Sequence, residues 1–151
     1  MKLSIEDLVN VARGAAFLGT GGGGDPYIGR MLSASAIEEF GMPEIIEPEE
    51  LADDATVFTI AMLGAPTVLG EKGASGMDVD LAIEKMEKHL GKKADALMPI
   101  EIGGVNSMIP IMAAARKKLP LVNVDGMGRA FPEIQMVTFN VYGVTCTPAV
   151  V

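Results

Sequence analysis

The chain has 151 residues, 49% apolar and 21% charged, which fits one globular domain whose core needs no disulfide or metal staple. Twelve Lys and Arg against twenty Asp and Glu leave a net charge of −8 and a pI near 4.6; that balance repels phosphate backbones and argues against a nucleic-acid partner. The single Cys, Cys146, excludes an internal disulfide and suits a reducing, cytoplasmic setting. No run approaches the ~20 apolar residues of a membrane span, and the acids and Arg of MKLSIEDLVNVARG interrupt what a signal peptide needs.

Ser4 is placed to cap a first helix, with Asp7 three residues on as a capping-box partner. Leu8, Val11, Ala12, Ala15 and Leu18 follow at helical spacing, and Gly19 is the stop. A run of glycines then leads through Thr20 and Gly21 to Gly24 into Asp25-Pro26, an N-cap followed by a favoured first helical residue. The second helix is expected to reach about Phe40, with Ile28, Met31, Leu32 and Ser35 on one face, and to end at Gly41.

Residues 44–47 read as a short strand, and 56–63 (TVFTIAML) as a buried one. From 64 to 77 periodicity disappears, with glycines at 64, 70, 73 and 76; irregular stretches of that length are often binding loops. Asp78 is placed to cap a helix burying Val79, Ala82, Ile83, Met86 and Leu90. Residues 96–102 (ALMPIEI) form the next strand candidate, Asn106 the cap of a helix to about Lys118, and 121–124 a short apolar strand ending at Asp125-Gly126. One helical turn after Glu133 and a last strand over 137–145 complete the series. Alternating strands and helices predict a single α/β domain over 1–151 in three layers, a mainly parallel sheet with helices on both faces.

In such a sheet the carboxyl ends of the strands line the edge where ligands bind. That edge collects Glu101, Asn106, Ser107, Asp125, Arg129 and Glu133, and residues 20–25, glycine-rich and polar, are expected to meet the loops at 103–107 and 125–133 in one cleft. A carboxylate at 101, inside an apolar strand, is costly unless paired or functional. The period of two turns it away from Ile100 and Ile102, and a partly buried place at a cleft rim is expected, with Arg129 or a ligand as partner. The glycine run follows a helix, not a strand, and no Gly-Lys-Ser or Gly-Lys-Thr occurs, so no nucleotide cofactor is expected. His89, among Glu84, Lys85, Glu87 and Lys88, belongs to a solvated face, which leaves no Ser-His-Asp triad. One His and one Cys make no ordinary zinc site, although carboxylates can hold a harder divalent metal.

Three segments together, LGTGGGGDPYIG (18–29), IEIGGVNSMIPI (100–111) and VDGMGRAFPEIQM (124–136), resemble the S-methyl thiohydantoin desulfurase family. The resemblance is to its N-terminal, hydantoinase-associated domain, long catalogued as of unknown function, and it spans nearly the whole chain. It implies hydrolytic removal of sulfur from a hydantoin-like five-membered ring, and a C-terminal domain that this chain, ending at Val151, does not carry. On the matched motifs the catalytic candidates are Glu101, Asp125 and Glu133. The substrate-binding candidates are Thr20, Gly21, Gly22, Gly23, Gly24, Asp25, Asn106, Ser107 and Arg129. Glu101 or Asp125 suits a general base, glycine amides suit a developing anion, and Arg129 suits a ring carbonyl or a carboxylate. Glu101→Gln is expected to leave the fold intact and abolish turnover in a full-length enzyme. The alternative is a noncatalytic small-molecule-binding or subunit-assembly domain. Expected partners are a small-molecule substrate and either a second copy of the chain or a C-terminal domain or subunit, with neither nucleic acid nor membrane among them.

Overall fold

Successive side chains of a strand point to opposite faces, so four short strands give the sheet two differently covered sides. The computed structural model describes residues 3–65, 68, 71, 73 and 75–151. Its strands are β1 (Ile45–Ile46), β2 (Val57–Ile60), β3 (Ala96–Pro99) and β4 (Leu121–Val122). They lie in the order β1-β4-β3-β2, and every pairing is parallel. Ile45, Phe58, Ile60, Leu97 and Leu121 enter one apolar cluster, and their neighbours Ile46, Val57, Ala96, Met98 and Val122 enter the other.

The first face carries the long helices α1 (Asp7–Gly19), α2 (Pro26–Phe40), α3 (Met77–Leu90) and α4 (Ile109–Lys117), whose Leu8, Ala36, Ile83 and Met112 complete the larger cluster. The second face has a thinner cover: Leu51, Val124 and Phe139 of the four-residue helix α5 (Thr138–Val141). The α/β fold with a parallel sheet is therefore the observed one. No helix among the described residues is long and apolar enough to cross a membrane.

Local signals explain the first two helices. Ser4 and Asp7 exchange reciprocal bonds, Ser4 N donating to Asp7 Oδ2 at 2.7 Å and Asp7 N to Ser4 Oγ at 3.2 Å, but they close the turn ahead of α1, whose N-cap is Glu6 and not the expected Ser4. Asp25 caps α2 by accepting from Tyr27 N at 2.9 Å, with Pro26 in the first turn. The buried face of α2 differs from the expected one, however: Gly29, Ser33, Ala36 and Ile37 face inward while Met31 and Ser35 are exposed. A Cβ at Gly29 would lie 2.7 Å from the Met108 Cβ, so the helix comes too close to the chain at Met108 for a larger residue. Ser33 Oγ donates to Met108 O at 2.8 Å across the same contact. Small residues, not large ones, define this face.

Further expectations need correction. The final strand over 137–145 is instead α5 and the chain beyond it; turn bonds such as Tyr142 N to Phe139 O close the segment on itself, and it joins no ladder. The strands at 56–63, 96–102 and 121–124 are shorter, stopping at Ile60, Pro99 and Val122. Asp78 lies inside α3, whose cap is Gly76, and Leu90 is exposed at its end. Of the aperiodic stretch from 64 to 77, positions 66, 67, 69, 70, 72 and 74, Gly70 among them, lie outside the described residues.

Candidate functional site

Past the carboxyl ends of β2, β3 and β4 the three glycine-bearing segments interlock through their backbones. Gly23 O accepts from Val105 N at 2.7 Å, Leu18 O from Ala130 N at 3.3 Å, and Ile100 O from Gly126 N at 2.9 Å. Glycine is needed here for closeness as much as for conformation. Gly104 has φ +59°, and a Cβ on it would fall 2.3 Å from the Gly23 carbonyl carbon and oxygen. A Cβ on Gly103 would meet Ala130 N at 2.7 Å and Glu101 Oε2 at 2.8 Å. The contact expected between residues 20–25 and the loops after β3 and β4 is present at its centre.

Two carboxylates are presented side by side on consecutive peptide groups of this junction. Ile102 N donates to Asp125 Oδ2 at 3.2 Å, and Gly103 N donates to Glu101 Oε2. Glu101 lies beyond the end of β3 and is 3% exposed. Its Oε1 accepts from Asn106 Nδ2 at 2.8 Å. Burial pushes the Glu101 carboxyl above the ordinary glutamate value; the Asn106 and Gly103 donors pull it back, and the nearby Asp125 charge adds to the rise. Asp125 is half-buried, and its Oδ2 also accepts from Gly128 N at 2.6 Å. Among the described residues its Oδ1 makes no hydrogen bond.

Glu101 therefore departs from its expected setting. It is neither in the strand nor at a half-wet rim, and Arg129 is not its partner: the exposed Arg129 donates from NH1 to Ala130 O at 2.9 Å. Neutral donors suffice because residues 102–106 turn back over the end of β3 and aim a peptide N–H and a carboxamide at the carboxylate. Asn106 likewise caps no helix. It sits in a buried 3-10 turn, Gly104–Ser107, and α4 begins after Met108. Its Oδ1 accepts from Met62 N at 2.7 Å, which ties the chain after β2 to Glu101. Met62 was missing from the sequence reading, since a backbone N–H leaves no trace in residue identity.

The remaining candidates lie at different depths. Ser107 is buried and donates to Gly104 O at 2.9 Å, a bond internal to the turn. Thr20, Gly21, Gly22, Asp25 and Glu133 are exposed, Gly23 and Gly24 half-buried. Asp25 is engaged as the α2 cap and Glu133 with Gln135. The N–H groups of Gly21, Gly23 and Gly24 make no hydrogen bond among the described residues and remain open donors. No group of three or more His, Cys, Asp and Glu among the described residues is arranged to hold a metal ion. One surface depression, lined by Phe40, Met42, Pro43, Leu119 and Pro120, lies at the opposite, amino-terminal edge of the sheet.

The family model described as S-Me-THD-like, N-terminal domain matches residues 6–151. No curated protein matches. A solved relative is similar throughout: an X-ray crystal structure of a protein from Chromobacterium violaceum, 27% identical, with a TM-score of 0.75 over 95% of this chain. The matched part is 40% of that protein, so the chain spans less than half its length.

Proposed function

Since the chain belongs to the S-Me-THD-like N-terminal domain family, we propose that the carboxylate-bearing edge of its sheet hydrolyses an S-methylated thiohydantoin or related ring. The observation that carries this reading is Asp125: a half-buried carboxylate fixed by two peptide N–H groups, with Oδ1 left open. In the reaction Asp125 takes a proton from water, the water oxygen bonds to the sulfur-bearing ring carbon, and negative charge develops on the ring. The open amides of Gly21, Gly23 and Gly24 suit that charge, and the fork of Arg129 suits a ring carbonyl or a substituent carboxylate. The carbon–sulfur bond then breaks, the thiolate takes up the proton held by Asp125, and the hydroxyl proton moves to the ring nitrogen, leaving a ring carbonyl with methanethiol as co-product. Glu101, enclosed on all sides, acts behind Asp125.

Incubating the protein with S-methyl thiohydantoin and measuring thiol release tests this directly. Asp125→Asn keeps the acceptor for Ile102 N and Gly128 N while removing the base, and should lower the rate by roughly 100-fold or more. Undiminished release in that variant overturns the role. A second reading, a noncatalytic binding or assembly domain, is favoured by exposed apolar side chains: Phe17 is 81% and Tyr142 85% exposed. Ring binding at residues 21–24 with no thiol release by the wild type would select it.

A further inference from the structure

The Asn106 side chain bridges the chain ends that follow two neighbouring strands, β2 and β3. Its carboxamide has an acceptor end and a donor end, and the two face different partners. Oδ1 takes the N–H of Met62, two residues past β2. Nδ2 donates a hydrogen bond to Glu101 Oε1 at 2.8 Å and a longer one to Met62 O at 3.4 Å. The residue is 8% exposed, so water does not readily replace either bond. No cation among the described residues reaches Glu101; its other partner is the peptide N–H of Gly103, and the charge it faces is Asp125. Neither Asp nor Leu reproduces this arrangement. An Asp offers only acceptors, and a Leu offers neither end.

We infer that Asn106 is a positioning residue: it holds the Glu101 carboxyl in place beside Asp125 and registers the chain after β2 against that pair. The inference rests on the proposed role of the Asp125 site, but its consequences are readable without turnover. Two of its arms separate chemically. Asn106→Asp keeps an acceptor for Met62 N and places a second carboxylate against Glu101. Asn106→Ala removes all three bonds. The Asp variant therefore loses the two Nδ2 bonds, to Glu101 and the longer one to Met62 O, but keeps the acceptor for Met62 N, whereas the Ala variant keeps none.

The test is a carboxyl NMR titration of Glu101, with amide hydrogen exchange at Met62, in wild type and both variants. In Asn106→Ala the Glu101 midpoint should move upward, because a donor that favours the ionised form is gone, and Met62 exchange should rise roughly 3- to 10-fold. In Asn106→Asp the Glu101 midpoint should also move upward, from like-charge repulsion, while Met62 keeps its protection. Global stability, measured by urea denaturation, separates a local change from general loosening. A lowered stability with an unmoved Glu101 midpoint in both variants overturns the inference and leaves Asn106 a packing residue. Should the protein release no thiol, the proposed reaction fails while the titration still decides the role of Asn106.

Discussion

Two carboxylates on opposite parts of the molecule are balanced in opposite ways. Asp80 on α3 receives the guanidinium of Arg116 on α4, at 2.5 Å from NH2 and 3.0 Å from Nε, and that guanidinium lies 5.2 Å from the Phe40 ring centre. Glu101 receives only dipoles, a peptide N–H and a carboxamide, and faces a second acid. A full opposite charge fixes an ion pair and closes it to other partners. Dipoles alone leave a buried acid free to exchange its proton as its surroundings change. The first arrangement joins helices, and the second belongs where chemistry needs a proton to move.

The backing of the Glu101 region is the sharpest place to break this contrast. Gly104→Ala forces a Cβ into the Gly23 carbonyl at a positive φ, with backbone on both sides and nothing flexible to yield. It should cost about 3 kcal/mol or more, read as a lowered urea midpoint; an unchanged midpoint would show that the two glycine segments separate freely. Removing the other balance should cost less. Arg116→Ala strands Asp80, whose buried Oδ1 already has no partner among the described residues, but the pair is partly wet. A loss of about 1–2 kcal/mol is expected by denaturation, and Arg116→Lys should recover only part because it lacks the fork.

The contrast also separates what residue order reveals from what it conceals. Short apolar runs and the Asp25-Pro26 cap announced the strands and α2, because those signals are local. The meeting of the three motifs at one sheet edge was legible too, from the rule that carboxyl ends of parallel strands collect polar loops. Glu101's partners were not, because the turn at 104–107 is set by how closely Gly103 and Gly104 approach Ala130 and Gly23, a tertiary fact. For the same reason apolar periodicity misplaced the face of α2, where Gly29 and Ser33 allow a contact that large side chains would forbid. The 137–145 segment alternates like a strand, yet among the described residues β4 pairs only with β1 and β3. Its Val137 and Phe139 pack beside Gly126 instead.

The smallest expected effect is the most discriminating, and it concerns pH. Glu101 is raised above its ordinary value in the folded protein, so between the unfolded and folded values the native state binds more protons than the unfolded chain. Stability contributed by this group is then full at acid pH and lost as pH rises through that window. Asp7, held low by its bonds from Ser4, and Glu87, held low by Lys93, work in the other direction and lose their contribution as pH falls. Those two are unaltered in Glu101→Gln, so their effects cancel when the variant is compared with wild type at each pH. What remains is Glu101 together with its repulsion from Asp125. The wild type should lead the Gln variant most at acid pH, and the lead should shrink steadily toward neutrality, where the two differ by about 1 kcal/mol or less. Urea denaturation of both proteins from acid to neutral pH measures that difference. A lead that stays constant would mean an unshifted carboxyl, and one that grows with pH would place Glu101 with Asp7 among the acids held ionised by their donors.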